Sequence, residues 1–143
     1  MIIAVDFDGT IVKDNPRNTE AVDLLPRDGA LEALRALKRA GHTLLLYSTR
    51  ANRALREDPD LDPLVRAGIR RVDREAWRKA QPLHQRRFSA MAAWVATHLP
   101  GVFDAIDDGG QGKPDVDLFI DDRALSAHST RGGGWAVILN RYG

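Results

Sequence analysis

Asp6 and Asp8 flank Phe7 at the end of an apolar run, and Gly9-Thr10 follow them directly. Residues two apart on an extended strand face the same side, so both carboxylates serve one site. Gly9 allows the chain to turn away at once. Two carboxylates this close repel, and both stay ionised most easily beside a cation. Asp121-Asp122 end a second apolar run and bring two more negative charges. Hard oxygen ligands of this kind suit Mg²⁺, whose remaining positions phosphate oxygens can fill. After a third apolar run come Ser48, Thr49 and Arg50, and further on lies Lys113. A serine hydroxyl can donate to a phosphoryl oxygen, and a lysine can neutralise charge that develops there. Alone, an Asp-Xaa-Asp or an Asp-Asp pair is commonly a turn or a cap. The ordered set, each member following a buried strand, points to phosphoryl chemistry.

The elements that must hold these residues read as follows. Residues 2–7 form a short β-branched strand broken by Gly9. Residues 13–29 are polar, with Pro16, Pro26 and Gly29, and form a loop. Asp28 is placed to cap a helix over 30–40, with Leu31, Leu34 and Leu37 on one side and Gly41 at its end. Residues 43–47 form a second strand, and 50–57 look helical. A turn over 58–63 precedes a short helix at 64–67 and a weak strand at 69–72. Phe88, Met91, Ala92, Val95 and Leu99 line one stripe of a longer helix that Pro100-Gly101 ends. Strands follow at 102–106, 118–120 and, after the Gly132-Gly133-Gly134 turn, 135–139. Strands alternating with helices predict an α/β fold: three layers, Rossmann-like, with a mainly parallel five-stranded sheet flanked by helices. In such sheets ligands bind beyond the carboxyl ends of the strands, where the residues above cluster.

On Asp6-Phe7-Asp8-Gly9-Thr10, Ser48, Lys113-Pro114 and Asp121-Asp122-Arg123, the sequence resembles the haloacid-dehalogenase-like (HAD) phosphohydrolases, of the small capless bacterial type. The resemblance spans about residues 1–125. It implies that Asp6 is the nucleophile and forms an aspartyl-phosphate. It implies that Asp8 protonates the leaving oxygen and then activates water. Mg²⁺ would be held by Asp6, the Asp8 carbonyl and a carboxylate matching Asp122, with Asp121 in support. Ser48 and Lys113 would bind the phosphoryl group, with Gly9, Thr49 and Arg50 beside it. A carboxylate at Asp8 favours phosphoryl transfer over carbon–halogen cleavage. One departure is the short interval, residues 114–120, between Lys113 and Asp121, where the family pattern has a helix.

The 143 residues suit one domain, with a flap over about 10–28 and a basic helical insert over about 58–87. That length leaves no room for a large cap, so the site is expected to be open to large substrates or closed by a second copy of the chain. Zero cysteines exclude disulfides, zinc-thiolate sites and cysteine nucleophiles. The N-terminal apolar run is too short for a signal peptide or a membrane span, so a soluble, cytoplasmic protein is expected. A formal charge of +1 does not suggest a generic polyanion binder, and 16 of the 20 acidic residues are Asp, the type favoured at caps and metal sites. The segment 66–87 holds Arg66, Arg70, Arg71, Arg74, Arg78, Lys79, Arg86 and Arg87, with Trp77 and Phe88 in or beside it. It reads first as a solvated surface, next as a patch that steers an anionic substrate, and last as a nucleic-acid site. Arg50 and Arg123 can each touch substrate or pair with a motif carboxylate. The leading expectation is a Mg²⁺-dependent phosphomonoesterase acting on a phosphorylated substrate. The alternatives are a nucleic-acid end phosphatase and a binding module without turnover.

Overall fold

The computed structural model describes residues 1–14, 24–110, 112–123 and 135–142. Four strands, β1 (Ile2–Val5), β2 (Thr43–Tyr47), β3 (Ala105–Asp107) and β4 (Leu118–Ile120), form one sheet in the order β3-β2-β1-β4. Every neighbouring pair is parallel. The architecture is α/β and Rossmann-like, with four strands among the described residues instead of five. The expected fifth strand is a helix, α5 (Trp135–Tyr142). Its Trp-Ala-Val-Ile-Leu start is a short apolar run, and periodicity alone does not separate a buried strand from a helix in such a run. The glycine turn at 132–134 and the middle of the flap lie outside the described residues.

Register sets the two faces of the sheet. Ile3 pairs with Leu44 and Val5 with Leu46, so these four side chains share one face. On that face they join Phe7, Leu34 of α1 (Ala30–Arg39) and Met91, Trp94 and Val95 of α4 (Arg74–His98) in one buried core. Phe7 and Trp94 meet edge to face, with ring centroids 5.7 Å apart. The connections β1–α1–β2 and β2–α4–β3 therefore both cover this face. The connection from β3 to β4 returns across the other face, where Phe119 is level with Ala4 and packs edge to face on Tyr47.

Local chemistry explains the boundaries. The sequence places Asp28 at the cap of α1, but the N-cap is Gly29 at φ 80°, with no side-chain cap bond. β3 starts three residues later than the run 102–106 suggests. Val102 still belongs to the turn after α4, its N–H bonding to Leu99 O. Asp104 then spends its carboxylate on Lys38 Nζ (2.6 Å) and the Leu44 N–H (2.8 Å) before pairing begins. Residues 69–72 are not a strand, because the N–H groups of Ile69 and Arg70 bond back to Leu64 O and close α3 (Pro63–Arg66). Many aspartates of the insert are caps. Asp58, Asp62 and Asp73 each accept backbone N–H bonds at a helix start, and Asn52 does the same for α2 (Arg53–Arg56). No described helix is long and apolar enough to cross a membrane.

Candidate active site

β1 lies between β2 and β4, so the carboxyl end of β1 has both neighbours' ends beside it. Val5 is level with Ile120, which puts the next residues, Asp6 and Asp121, side by side. The Asp6 N–H bonds to Ile120 O at 2.9 Å and holds that alignment one residue past the strand. Carboxylate oxygens of Asp6, Asp121 and Asp122 all lie within 4.8 Å of one another. Thr10 ties the group together. Its hydroxyl donates to Asp6 Oδ2 (3.1 Å) and accepts the Asp122 N–H (3.1 Å). The sequence motif contains Thr10 but gives it no role of its own. A hydroxyl four residues after the first aspartate, just past the glycine turn, is the signal that could have marked it.

Gly9 is required here by geometry. Its φ is 79°, and a Cβ would overlap the Asp122 carboxylate, lying 2.9 Å from its Cγ. Arg27 Nη1 donates to Gly9 O at 2.9 Å, fixing the turn from the base of the flap.

Burial, with the charge of Asp121 next, pushes the Asp6 carboxyl up to about 6. The Thr10 hydrogen bond works against that rise without cancelling it. Three mutually repelling carboxylates, with no lysine or arginine paired to them among the described residues, form a hard-oxygen donor set. That set fits Mg²⁺.

Asp8 has different company. Its two oxygens accept from Arg50 Nε and Nη2, each at 2.7 Å. The Arg50 side chain is 2% exposed. Its remaining nitrogen, Nη1, donates to the Arg87 carbonyl of α4 (3.1 Å), and the guanidinium lies 5.4 Å from the Phe7 ring centre. All three nitrogens of the fork are therefore engaged. Ser48 is buried and starts the one-turn helix Thr49–Ala51; its Oγ accepts the Arg50 N–H at 3.2 Å and keeps its own proton to donate. Thr49 is exposed on the same turn.

Lys113 lies on the β3–β4 connection with Nζ 4.6 Å from the Phe119 ring centre. Among the described residues it makes no hydrogen bond or ion pair to Asp6 or Asp121. Phe119 precedes Asp121 by two residues, so the Lys113 ammonium sits over a side chain close behind the acidic cluster. Arg123 turns outward and reaches Asp14 Oδ2 at 3.6 Å. In the insert, Arg70 pairs with Asp62 (2.7 Å), Arg74 with Asp60 (2.6 Å) and Lys79 with Glu75 (3.6 Å). Arg56 stacks on Phe88 at 3.7 Å, and Trp77 Nε1 donates to Ala54 O. The aromatics of this segment thus serve packing.

No protein-family model and no curated protein matches the chain. Among solved structures it is similar to a conserved protein from Bacteroides thetaiotaomicron, at 26% identity over 96% of this chain and 85% of that one, with a TM-score of 0.47. It is also similar to a D,D-heptose 1.7-bisphosphate phosphatase from B. bronchiseptica complexed with magnesium and phosphate. There the identity is 22%, over 99% of this chain but 63% of that chain, with a TM-score of 0.40. A third similar structure, from Vibrio cholerae, is 19% identical over 97% of this chain and 94% of that one, with a TM-score of 0.44.

Proposed function

We propose that the chain is a Mg²⁺-dependent phosphohydrolase that cleaves a phosphomonoester through an aspartyl-phosphate on Asp6. The observation that carries this reading is the carboxylate trio Asp6, Asp121 and Asp122, gathered within 4.8 Å at the ends of two adjacent strands. Asp6, Asp121 and Asp122 would hold the ion, which supplies charge neutralisation for the phosphoryl oxygens. An Asp6 oxygen attacks phosphorus as the bond to the leaving oxygen breaks. Asp8 gives that oxygen its proton. Asp8 then takes a proton from water, whose oxygen attacks phosphorus and returns Asp6 and inorganic phosphate. Ser48 donates to a phosphoryl oxygen, and Lys113 reaches forward from Phe119 to a second. Thr49 borders the substrate.

The exposed ion pairs of Arg70, Arg74 and Lys79 favour a solvated surface over a polyanion site for that part of the insert. The test is phosphate release from p-nitrophenyl phosphate by purified protein. Release that requires Mg²⁺, stops with EDTA and is absent in Asp6→Asn supports the reading. Release that persists in Asp6→Asn overturns the covalent route.

A further inference from the structure

We propose that Arg50 is a positioning residue that holds the Asp8 carboxylate out of the metal cluster, its fork taking one lone pair of each oxygen and leaving the other to exchange a proton with the leaving oxygen. The proposal deepens the phosphohydrolase reading and rests on it for the leaving-group step alone. Asp6 and Asp8 follow β1 two residues apart, and nothing in their spacing keeps the second carboxylate from joining the first at a cation. The cluster nevertheless contains Asp6, Asp121 and Asp122 without Asp8. Asp8 is instead clamped through both oxygens at 2.7 Å. A fork-to-fork pair fixes direction as well as distance, which a single contact cannot do.

The clamp itself is anchored. Arg50 is 5% exposed, its third nitrogen donates to Arg87 O of α4, and Phe7 lies under the guanidinium. Its backbone N–H bonds to Ser48 Oγ. Asp8 is thereby braced against both the β2 end and the long helix. Each of the three nitrogens of the Arg50 guanidinium is engaged, so its direction is set by the protein.

The experiment has two arms. The first measures Mn²⁺ binding to the protein without substrate, in a cycle of Asp8→Asn and Arg50→Gln. Asp8→Asn keeps the backbone carbonyl and removes only the side-chain charge. With Arg50 present it should change Mn²⁺ affinity less than about twofold, and in Arg50→Gln it should weaken affinity about tenfold, a coupling ordinary for touching residues. An equal effect of Asp8→Asn in both backgrounds overturns the proposal.

The second arm compares kcat on an aryl phosphate, whose leaving group needs little protonation, with kcat on an alkyl phosphate, whose leaving group needs it. Arg50→Gln should lower kcat about a hundredfold on the alkyl ester and much less on the aryl ester, with KM nearly unchanged. Equal losses on both esters, or a loss confined to KM, overturn the positioning role. Arg50→Lys keeps the charge and one contact, so it should recover part of the alkyl-ester rate and serves if Arg50→Gln does not fold. Absence of turnover in the unmodified protein would defeat the phosphohydrolase reading, and the Mn²⁺ cycle would still decide the role of Arg50.

Discussion

Asp6 and Asp8 leave one strand two residues apart, yet they meet opposite company. Asp6 faces Asp121 and Asp122 and sits among negative charges. Asp8 faces a buried guanidinium. The same residue type acquires two different tasks because β4 lies on one side of β1 and the chain after β2 on the other. Strand order, not local sequence, divides the work. The insert adds a third case. Arg74–Asp60 is as short as the Arg50–Asp8 pair, 2.6 Å against 2.7 Å, but its side chains are 53% exposed on both partners. Distance alone does not separate the three; burial and neighbouring charge do.

The contrast can be broken at several points. Asp6→Asn attacks the acidic side. Phosphate release should fall by about a thousandfold or more, as expected when a nucleophile is removed. Melting temperature in EDTA should not fall, because a half-buried repelling charge has gone. Retained turnover would erase the distinction between the two aspartates.

Gly9→Ala strains the turn that joins them. Positive φ at a residue with a Cβ costs about 1–3 kcal/mol, and the added methyl also pushes on Asp122. Denaturant unfolding should report that loss, together with weaker Mg²⁺ binding. An unchanged midpoint would mean that the turn relaxes freely.

The acidic side also carries a pH signature. Asp6 titrates at about 6 in the fold against 3.8 in the unfolded chain. Between those values the native state holds a proton that the unfolded state has lost, so stability without metal should fall as pH rises from about 4 to 6. Mg²⁺ should restore it above that window, since the ion binds the ionised trio. Thermal melts across pH, with EDTA and with Mg²⁺, measure both. Parallel curves would show that the trio does not bind the ion. Smallest of all, Arg74→Ala should cost about 0.5 kcal/mol or less, the ordinary worth of an exposed pair, by denaturant unfolding. A larger loss would give the insert a structural weight that its exposure does not suggest.

Much of this was open to reading in the chain. Strong local signals, such as the β-branched run before Asp6, the leucine stripe of α1 and the stripe of α4, settle into the elements they suggest. The motif residues Asp6, Asp121 and Asp122 come together because each ends a parallel strand, and parallel strands end on one edge. The failures share a physical cause. α5, the late start of β3 and the turn at 69–72 are short segments decided by contacts with distant groups, as with Asp104 and Leu44 N. The pairing of Arg50 with Asp8 spans 42 positions and depends on strand order, so no local pattern encodes it. Sequence spacing raised the possibility of a carboxylate partner for Arg50 but not which one.

The helix α4 has one more consequence. Arg87 O receives Arg50, and four residues later Met91 begins the buried stripe of the helix, Met91, Trp94 and Val95. The interval between them works like an indexed spindle. Adding or deleting one residue there would turn everything on the N-terminal side by about 100° and carry the Arg87 carbonyl away from Arg50. The phase of the N-terminal half of α4 relative to the core is thereby locked to the angle at which Asp8 is held.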